Sequence, residues 1–325
     1  MAHFIQIAVQ DAAAIRDELT AGLSAPTAMI APKHFYDLLG SKLFEAICEL
    51  PEYYPTRTEA AIFSAQKRAI GEAAGTGCVL IDLGAGNCEK AAALFSVLQP
   101  SAYVPVDIST SFLQQAVERL QAQHPAVSML GVGIDFSQAL ELPPEVPTGR
   151  RLFFYPGSSI GNFTPQEAGV FLRRVRQACG SDGGLLIGVD LVKESAILQQ
   201  AYDDALGVTA CFNVNVLNNV NAVLKADFQL AAWQHRALFN ASESRIEMHL
   251  ESKQEQRVHW DGASRRFEQG ERIHTENSYK YSCAAFLALL QESGFADIET
   301  WTDPQQWFMV CHARAGSASP HVLAG

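Results

Sequence analysis

Between residues 78 and 190 the chain repeats one pattern: an apolar run of strand length, a turn, then a helical segment. The runs are Cys78–Leu83, Ala102–Asp107, Val127–Val132, Arg151–Tyr155 and Gly184–Asp190. Cys88–Leu98, Ser111–Gln123 and Pro165–Cys179 between them carry helical patterning, the last with Pro and Glu in its first turn. Strands that are apolar along their whole length are buried on both faces, so the pattern predicts a mostly parallel sheet covered by helices. Pro105 weakens the second run, because proline donates no ladder bond. A sheet of this kind needs a sizeable core, and 325 residues at 48% hydrophobic and 18% charged supply one.

The flanks read differently. Asp11–Leu23 has the spacing of an amphipathic helix, Leu43–Leu50 of a short helix that stops at Pro51–Pro55, and Thr58–Ala74 of a helix leading into the first strand. Beyond Asp190, Ser195–Leu206 is helical, and 203–260 holds Asn-rich helical sequence followed by strand-like alternation, clearest in Ile246–Glu251. Cys283–Ser293 forms a helix, and Ile298–Thr302 with Trp307–Ala313 forms a closing hairpin around Asp303-Pro304. The expected organisation is a Rossmann-type domain of residues 57–191 completed by 280–316. A second α+β lobe is expected from 1–56 and 192–279, followed by a frayed tail, 317–325.

Charge and cysteine usage narrow the function classes. A net charge of −11, with no Lys/Arg cluster, makes nucleic acid an unsuitable partner. No uncharged apolar run approaches the roughly 20 residues of a membrane span. Asp11, Arg16, Asp17 and Glu18 lie where a signal peptide would need apolar residues. Seven scattered cysteines without a CxxC pair are the usage of free thiols, so a cytoplasmic protein without a zinc site is expected.

The turn after the first strand reads Asp82-Leu-Gly-Ala-Gly-Asn-Cys-Glu-Lys90. Gly84 and Gly86 let backbone approach a ligand at the carboxyl edge of the sheet, where open α/β folds bind cofactors. Glu89 replaces the third glycine of a dinucleotide motif and would repel a pyrophosphate, whereas S-adenosylmethionine has no phosphate and carries a sulfonium. Asp107, ending the second strand, is placed to accept ribose hydroxyls, or else to cap the helix that follows. Asp135-Phe136, after the third strand, either flanks the adenine or forms an ordinary loop. Gly157-Ser-Ser-Ile-Gly-Asn162, after the fourth, offers backbone groups and an amide to a small polar substrate.

Several longer segments occur together: Leu50-Pro-Glu-Tyr-Tyr-Pro-Thr-Arg57, Gly157–Pro165, Ala201–Asp204 with Gly207–Ala210, Ile246–His249 and Thr275–Ser278. With these the chain resembles the histidine-specific Nα-methyltransferases of ergothioneine biosynthesis, over about residues 10 to 313. The resemblance implies a class I methyltransferase sheet with an added substrate lobe, and S-adenosylmethionine as donor to the α-amino group of L-histidine. It places Gly84, Lys90, Asp107, Asp135 and Phe136 at the cofactor, and the glycine turn itself adds Gly86. It places Tyr53, Asn162, Tyr202, Glu276 and Ser278 at histidine, with Tyr36, Gly157 and Met248 lining the same pocket. The residue types agree: an amide and a phenol suit a carboxylate, while Glu276 and Ser278 suit an imidazole N–H. Without the resemblance, Glu276 reads as a surface acid and Tyr202 as part of a helix face. Cys88 stands where the family has a hydroxyl residue.

The reaction expected from this reading is an in-line displacement of the sulfonium methyl by the neutral amine, repeated to the trimethyl product. Tyr36 and the Gly157 carbonyl are the candidates to orient the lone pair, and no metal is required. A monomer is expected. The alternatives are the same fold acting on another amino acid such as tryptophan, a non-catalytic S-adenosylmethionine-binding module, and a nicotinamide-dependent oxidoreductase. The missing third glycine and the closing hairpin weigh against the last.

Overall fold

The structure, a computed structural model, describes residues 3–6, 12–137 and 139–316. In chain order its first half comprises β1 (His3–Gln6), α1 (Ala12–Ser24), β2 (Ala28–Met29), α2 (Leu38–Cys48), α3 (Tyr54–Ala74), β3 (Val79–Leu83), α4 (Glu89–Ala92), α5 (Phe95–Leu98), β4 (Ala102–Asp107), α6 (Thr110–Gln123), β5 (Ser128–Gly133) and β6 (Arg151–Tyr155). Then follow α7 (Pro165–Ala178), β7 (Gly184–Asp190), α8 (Ser195–Tyr202), α9 (Val208–Leu224), β8 (Trp233–Asn240), β9 (Arg245–Ser252), β10 (Gln256–Trp260), β11 (Ala263–Phe267), β12 (Arg272–Tyr279), α10 (Cys283–Glu292), β13 (Phe295–Thr302) and β14 (Phe308–Ala315). The chain divides into two compact units at 57/58, 191/192 and 280/281, with β1 in the first. The tail expected at 317–325 lies outside the described residues.

The first unit holds an eight-stranded sheet in the order β1-β5-β4-β3-β6-β7-β14-β13. Pairing is parallel from β1 to β7, and β14 runs antiparallel to both β7 and β13. Every residue of β3 and β7 is buried, as uninterrupted apolar strands require. Side chains of α3, α4, α5 and α6, among them Ile62, Ile70, Ala91, Phe95, Leu113 and Val117, close the core with Leu80, Tyr103 and Phe154 from the sheet.

Three local expectations differ from the structure. Residues 1–56 are expected in the second lobe, but β1 pairs in parallel with β5 from His3↔Leu130 to Gln6↔Gly133. A four-residue strand is too short to show a period, and Gly131 leaves the space that the Phe4 ring fills. Pro55 does not precede the helix but lies inside its first turn, where the missing N–H costs nothing. The helix expected over 88–98 is two short ones, because Leu94 turns back to the Ala91 carbonyl at 3.0 Å, a tighter i→i−3 bond. Pro105 sits in a central strand at a local cost: the ladder to β5 lapses between Tyr103↔Met129 and Val106↔Val132.

The second unit holds a four-stranded sheet, β2-β12-β9-β8, and the β10-β11 hairpin. Alternate residues of β9 are buried, Ile246, Met248, Leu250 and Ser252, so one face points inward. Helices α8 and α9 pack on β8 and β9, and α9 also packs on α1 and α2. The asparagines of α9 account for themselves. Asn215 donates to the Asp37 carboxylate at 3.0 Å, Asn219 to the His34 carbonyl at 2.8 Å, and Asn221 pairs with both backbone groups of Phe228. The fully buried Asn213 donates to the His249 carbonyl at 3.0 Å and lies 2.8 Å from His235 Nδ1. A helix that would read as polar is therefore a buried staple.

Candidate active site

In the first unit the candidate cofactor residues follow four neighbouring strands, β5, β4, β3 and β6. The strand order reverses its direction of growth between β3 and β6, the position at which open α/β sheets bind ligands. After β3 the chain turns sharply, with Gly84 at φ +69°, Gly86 at +52° and Cys88 at +66°. Only the first two positions carry a glycine, and Cys88 adopts the left-handed region despite its Cβ. Its thiol is buried in the core and pushed up to about 12 by that burial, so it is neither an acid nor a nucleophile at neutral pH.

Asp107 ties the turn to the next strand. One carboxylate oxygen accepts the Gly86 N–H at 3.0 Å and the other accepts the Ser109 N–H at 2.9 Å. Burial raises its pKa, against these backbone donors. Each oxygen keeps a further lone pair, which is what a ribose diol needs. Asp135 accepts from the backbone N–H of Ser137 at 3.1 Å and also from the Ser137 hydroxyl. The Phe136 ring comes within 3.8 Å of where a Gly84 Cβ would stand, and makes edge contact with Tyr155. An aromatic plate over a glycine, a carboxylate with free lone pairs and an open turn fit an adenosine carrying a sulfonium. Asp82 adds an acid beneath the turn. Tyr103 donates to its Oδ2 at 2.7 Å, its Oδ1 has no hydrogen-bond partner among the described residues, and burial pushes it up to about 7.

Lys90 lies beside Gly157, whose Cβ position is 3.4 Å from the ammonium. Gly157 (φ +78°) and Ser158 (φ +60°) are consecutive left-handed residues, and they lead into the single 3₁₀ turn Ser159–Asn162 that places Asn162. The Ser158 hydroxyl accepts the Asp190 N–H at 2.8 Å and so fastens this loop to β7.

In the second unit the candidate substrate residues come together through one irregularity. β12 pairs with β9 as His274↔His249 and then as Glu276↔Met248, so one extra residue, Thr275, is inserted. A bulge of this kind exchanges the two faces of the strand beyond it. Without it Glu276 would oppose Glu247; with it Glu276 opposes Met248, and Ser278 opposes Ile246, on the inward face covered by α8 and α9. The Thr275 hydroxyl holds the bulge, 2.8 Å from Asn213 Oδ1 and 3.0 Å from the Met248 carbonyl.

On that face Ser278 Oγ lies 2.7 Å from the Tyr202 hydroxyl, and Lys280 donates to both, at 2.8 Å and 3.1 Å. Tyr202 ends α8, where its carbonyl lies 2.8 Å from His235 Nε2. Its ring meets Tyr53 edge-on at 6.0 Å, and Phe44 links Tyr53 to Tyr36 at 6.2 and 5.7 Å. Tyr36 follows the 3₁₀ turn Pro32–Phe35, whose flanks at His34 and Asp37 are the ones gripped by Asn219 and Asn215. Tyr53 is driven well above the usual phenol range by burial, then by Tyr202, Cys48 and Glu276. Burial lifts Glu276 to about 7, with the Lys280 charge working in the opposite direction. The second unit thus gathers Tyr36, Tyr53, Tyr202, Met248, Glu276 and Ser278; the first gathers Gly84, Gly86, Lys90, Asp107, Asp135, Phe136, Gly157 and Asn162.

Two residues at these sites escaped the sequence reading. Lys280, only 3% exposed, completes the Glu276, Ser278, Lys280 alternation, a period-two signal visible in the run Glu-Asn-Ser-Tyr-Lys once a strand is assumed. Glu59, 1% exposed, has no such signal, because a lone acid on a long helix reads as a solvated face.

Relatives of known family share this arrangement of sequence. The family described as histidine-specific, SAM-dependent methyltransferase matches residues 15–315. The chain is 40% identical to the Histidine N-alpha-methyltransferase of Mycolicibacterium smegmatis, over 90% of this chain and 92% of that one. It is 28% identical to Ergothioneine biosynthesis protein 1 of Neurospora crassa, over 82% of this chain and 31% of that longer protein. A possible exported protein from Bordetella parapertussis, at 14% identity, shares the fold alone, with a TM-score of 0.51 over 85% of this chain and 79% of that one. The chain belongs to the histidine-specific, S-adenosylmethionine-dependent methyltransferase family.

Proposed function

We propose that this protein methylates the α-amino nitrogen of L-histidine three times, giving hercynine on the route to ergothioneine. The observation that carries the reading is the inward face set by the bulge at Thr275: a carboxyl, two hydroxyls and an ammonium beside an apolar wall. Glu276 and Ser278 accept from and donate to the imidazole nitrogens, with Tyr53 as a further hydroxyl, and Met248 packs against the ring. Tyr202 donates to the substrate carboxylate, and the Lys280 ammonium supplies the compensating charge.

S-adenosylmethionine supplies an electrophilic sulfonium methyl when bound. Asp107 accepts the ribose hydroxyls, Phe136 packs against the adenine, and Lys90 faces the amino acid end. The chain's part in the displacement is orientation, for which effective molarities reach about 10⁵–10⁸ M in well-aligned intramolecular reactions. The Gly157 carbonyl directs the lone pair of the neutral amine, so no strong general base is demanded. The protein acts as a monomer in the cytoplasm; seven free cysteines support the compartment, and among the described residues no helix is long and apolar enough to cross a membrane.

Offering equal concentrations of L-histidine and L-tryptophan with S-adenosylmethionine tests the substrate. Methylated histidine with unchanged tryptophan is expected, and methylated tryptophan contradicts the assignment. The double variant Glu276→Ala/Met248→Val should lower the histidine-over-tryptophan ratio of kcat/KM by at least about tenfold, some 1.4 kcal/mol. An unchanged ratio would mean that Glu276 does not read the ring.

A further inference from the structure

Glu59 lies on α3 in the first unit and belongs to none of the segments assigned to donor or substrate. Yet it is buried, 1% exposed, and each carboxylate oxygen has one partner. Oε1 accepts the Gly157 N–H at 2.7 Å, and Oε2 accepts from the Lys90 ammonium at 2.6 Å. The fold reserves space for it: a Cβ on Gly188, in the middle of β7, would come within 2.3 Å of Oε1. A helix with polar residues facing water has no reason to bury one acid among the strand ends. A buried carboxylate is tolerated when it is paired and hydrogen-bonded, and the ammonium and the amide meet that demand.

We infer that Glu59 is a positioning residue of the methyl-transfer site, holding the Lys90 ammonium and the Gly157 N–H in one fixed arrangement. The inference rests on the function proposed above. Its two arms act on different partners. The Lys90 side chain is 42% exposed on a four-carbon stem, and the Glu59 carboxylate at 2.6 Å restricts the rotamers of its ammonium before the cofactor binds. Gly157 and Ser158 are both left-handed, and the bond from Gly157 to Glu59 pins one end of a loop whose other fastening is Ser158 to Asp190. Releasing Glu59 frees the loop that carries Gly157 and Asn162, and misplacement of about an ångström at such a position costs on the order of 100-fold in rate.

The test separates the arms. Glu59→Ala removes both; Glu59→Gln keeps an acceptor for the Gly157 N–H and loses the charge facing Lys90. Binding of S-adenosylhomocysteine is measured by calorimetry, and kcat with histidine at saturating substrates, in both variants and in Lys90→Met. Glu59→Ala is expected to lower kcat at least tenfold. Glu59→Gln is expected to keep kcat within threefold of wild type while weakening S-adenosylhomocysteine at least threefold, as Lys90→Met does. A rescue of kcat by Gln, with the binding defect left in place, is a split that loss of folding does not produce. Should Glu59→Ala not fold, the Gln variant decides alone: S-adenosylhomocysteine affinity and kcat both unchanged, or kcat reduced at least tenfold, overturns the inference. Wild type failing to methylate histidine would sink the proposed function instead, and the calorimetric comparison of Glu59→Gln with Lys90→Met would still judge the Lys90 anchor.

Discussion

The two candidate sites of this protein are built in opposite ways. In the first unit the cofactor residues are strand ends and turns: Gly84 and Gly86 in left-handed conformations, and an Asp107 carboxylate tied to two backbone N–H groups. In the second, the substrate residues are side chains on one face of a sheet, selected by a single inserted residue at Thr275. A site made from turns at strand ends is local in sequence, so its chemistry is spelled within a few residues. A site made from strand faces depends on register, and register is a long-range property. The candidate donor site is therefore set by fold geometry, and the candidate acceptor site by register at one bulge.

Removing the polar pair that the bulge turns inward should have the largest effect. Glu276→Ala/Ser278→Ala takes away two polar partners of the substrate at about 1.5–3 kcal/mol each, so that histidine binding weakens at least about 100-fold. S-adenosylhomocysteine binding, measured in the same calorimetric series, should stay near wild type. Equal loss of both ligands would show that the two sites are not separable in this way.

The converse change falls next. Asp107→Ala should weaken S-adenosylhomocysteine by about 1.5–3 kcal/mol, roughly 10- to 150-fold, and leave the melting temperature close to wild type. An unchanged dissociation constant would reduce Asp107 to a tie between the glycine turn and Ser109.

The smallest effect is on stability, and its sign follows from burial. Glu276 stands near 7 in the folded protein against 4.5 in an ordinary environment. A carboxyl whose folded pKa is raised binds more protons folded than unfolded, so its cost is absent below about 4.5 and fully present above about 7. Glu276→Gln should therefore raise the melting temperature at pH 8 and leave it unchanged at pH 4. A shift of equal size at both values would mean that charge is not the cause.

The same contrast explains what could be read without coordinates. The five central strands, the closing hairpin and α7 were legible, because apolar runs and a Pro-Glu first turn are local signals. So were Gly84, Gly86 and Asp107 as a group at the sheet edge. β1 was not, since four residues carry no period, and neither was the break between α4 and α5. Glu276, Ser278 and Met248 were placed by resemblance to a family, not by pattern: nothing in Thr275–Ser278 announces that parity changes there. Lys280 and Glu59 were missed for the same reason. A buried charge is recognisable only by its partners, and theirs lie 2 to 98 residues away along the chain.

The central claim, that the second unit grips ring and carboxylate and leaves the amine to the donor, is tested most directly by where the methyl groups go. Wild-type protein incubated with L-histidine and methyl-deuterated S-adenosylmethionine, with products fragmented in the mass spectrometer, gives the answer. The account predicts one, two and then three labelled methyl groups, all on the α-nitrogen of an unmodified imidazole. A labelled ring nitrogen, or a product that stops at one methyl group with donor remaining, would contradict it.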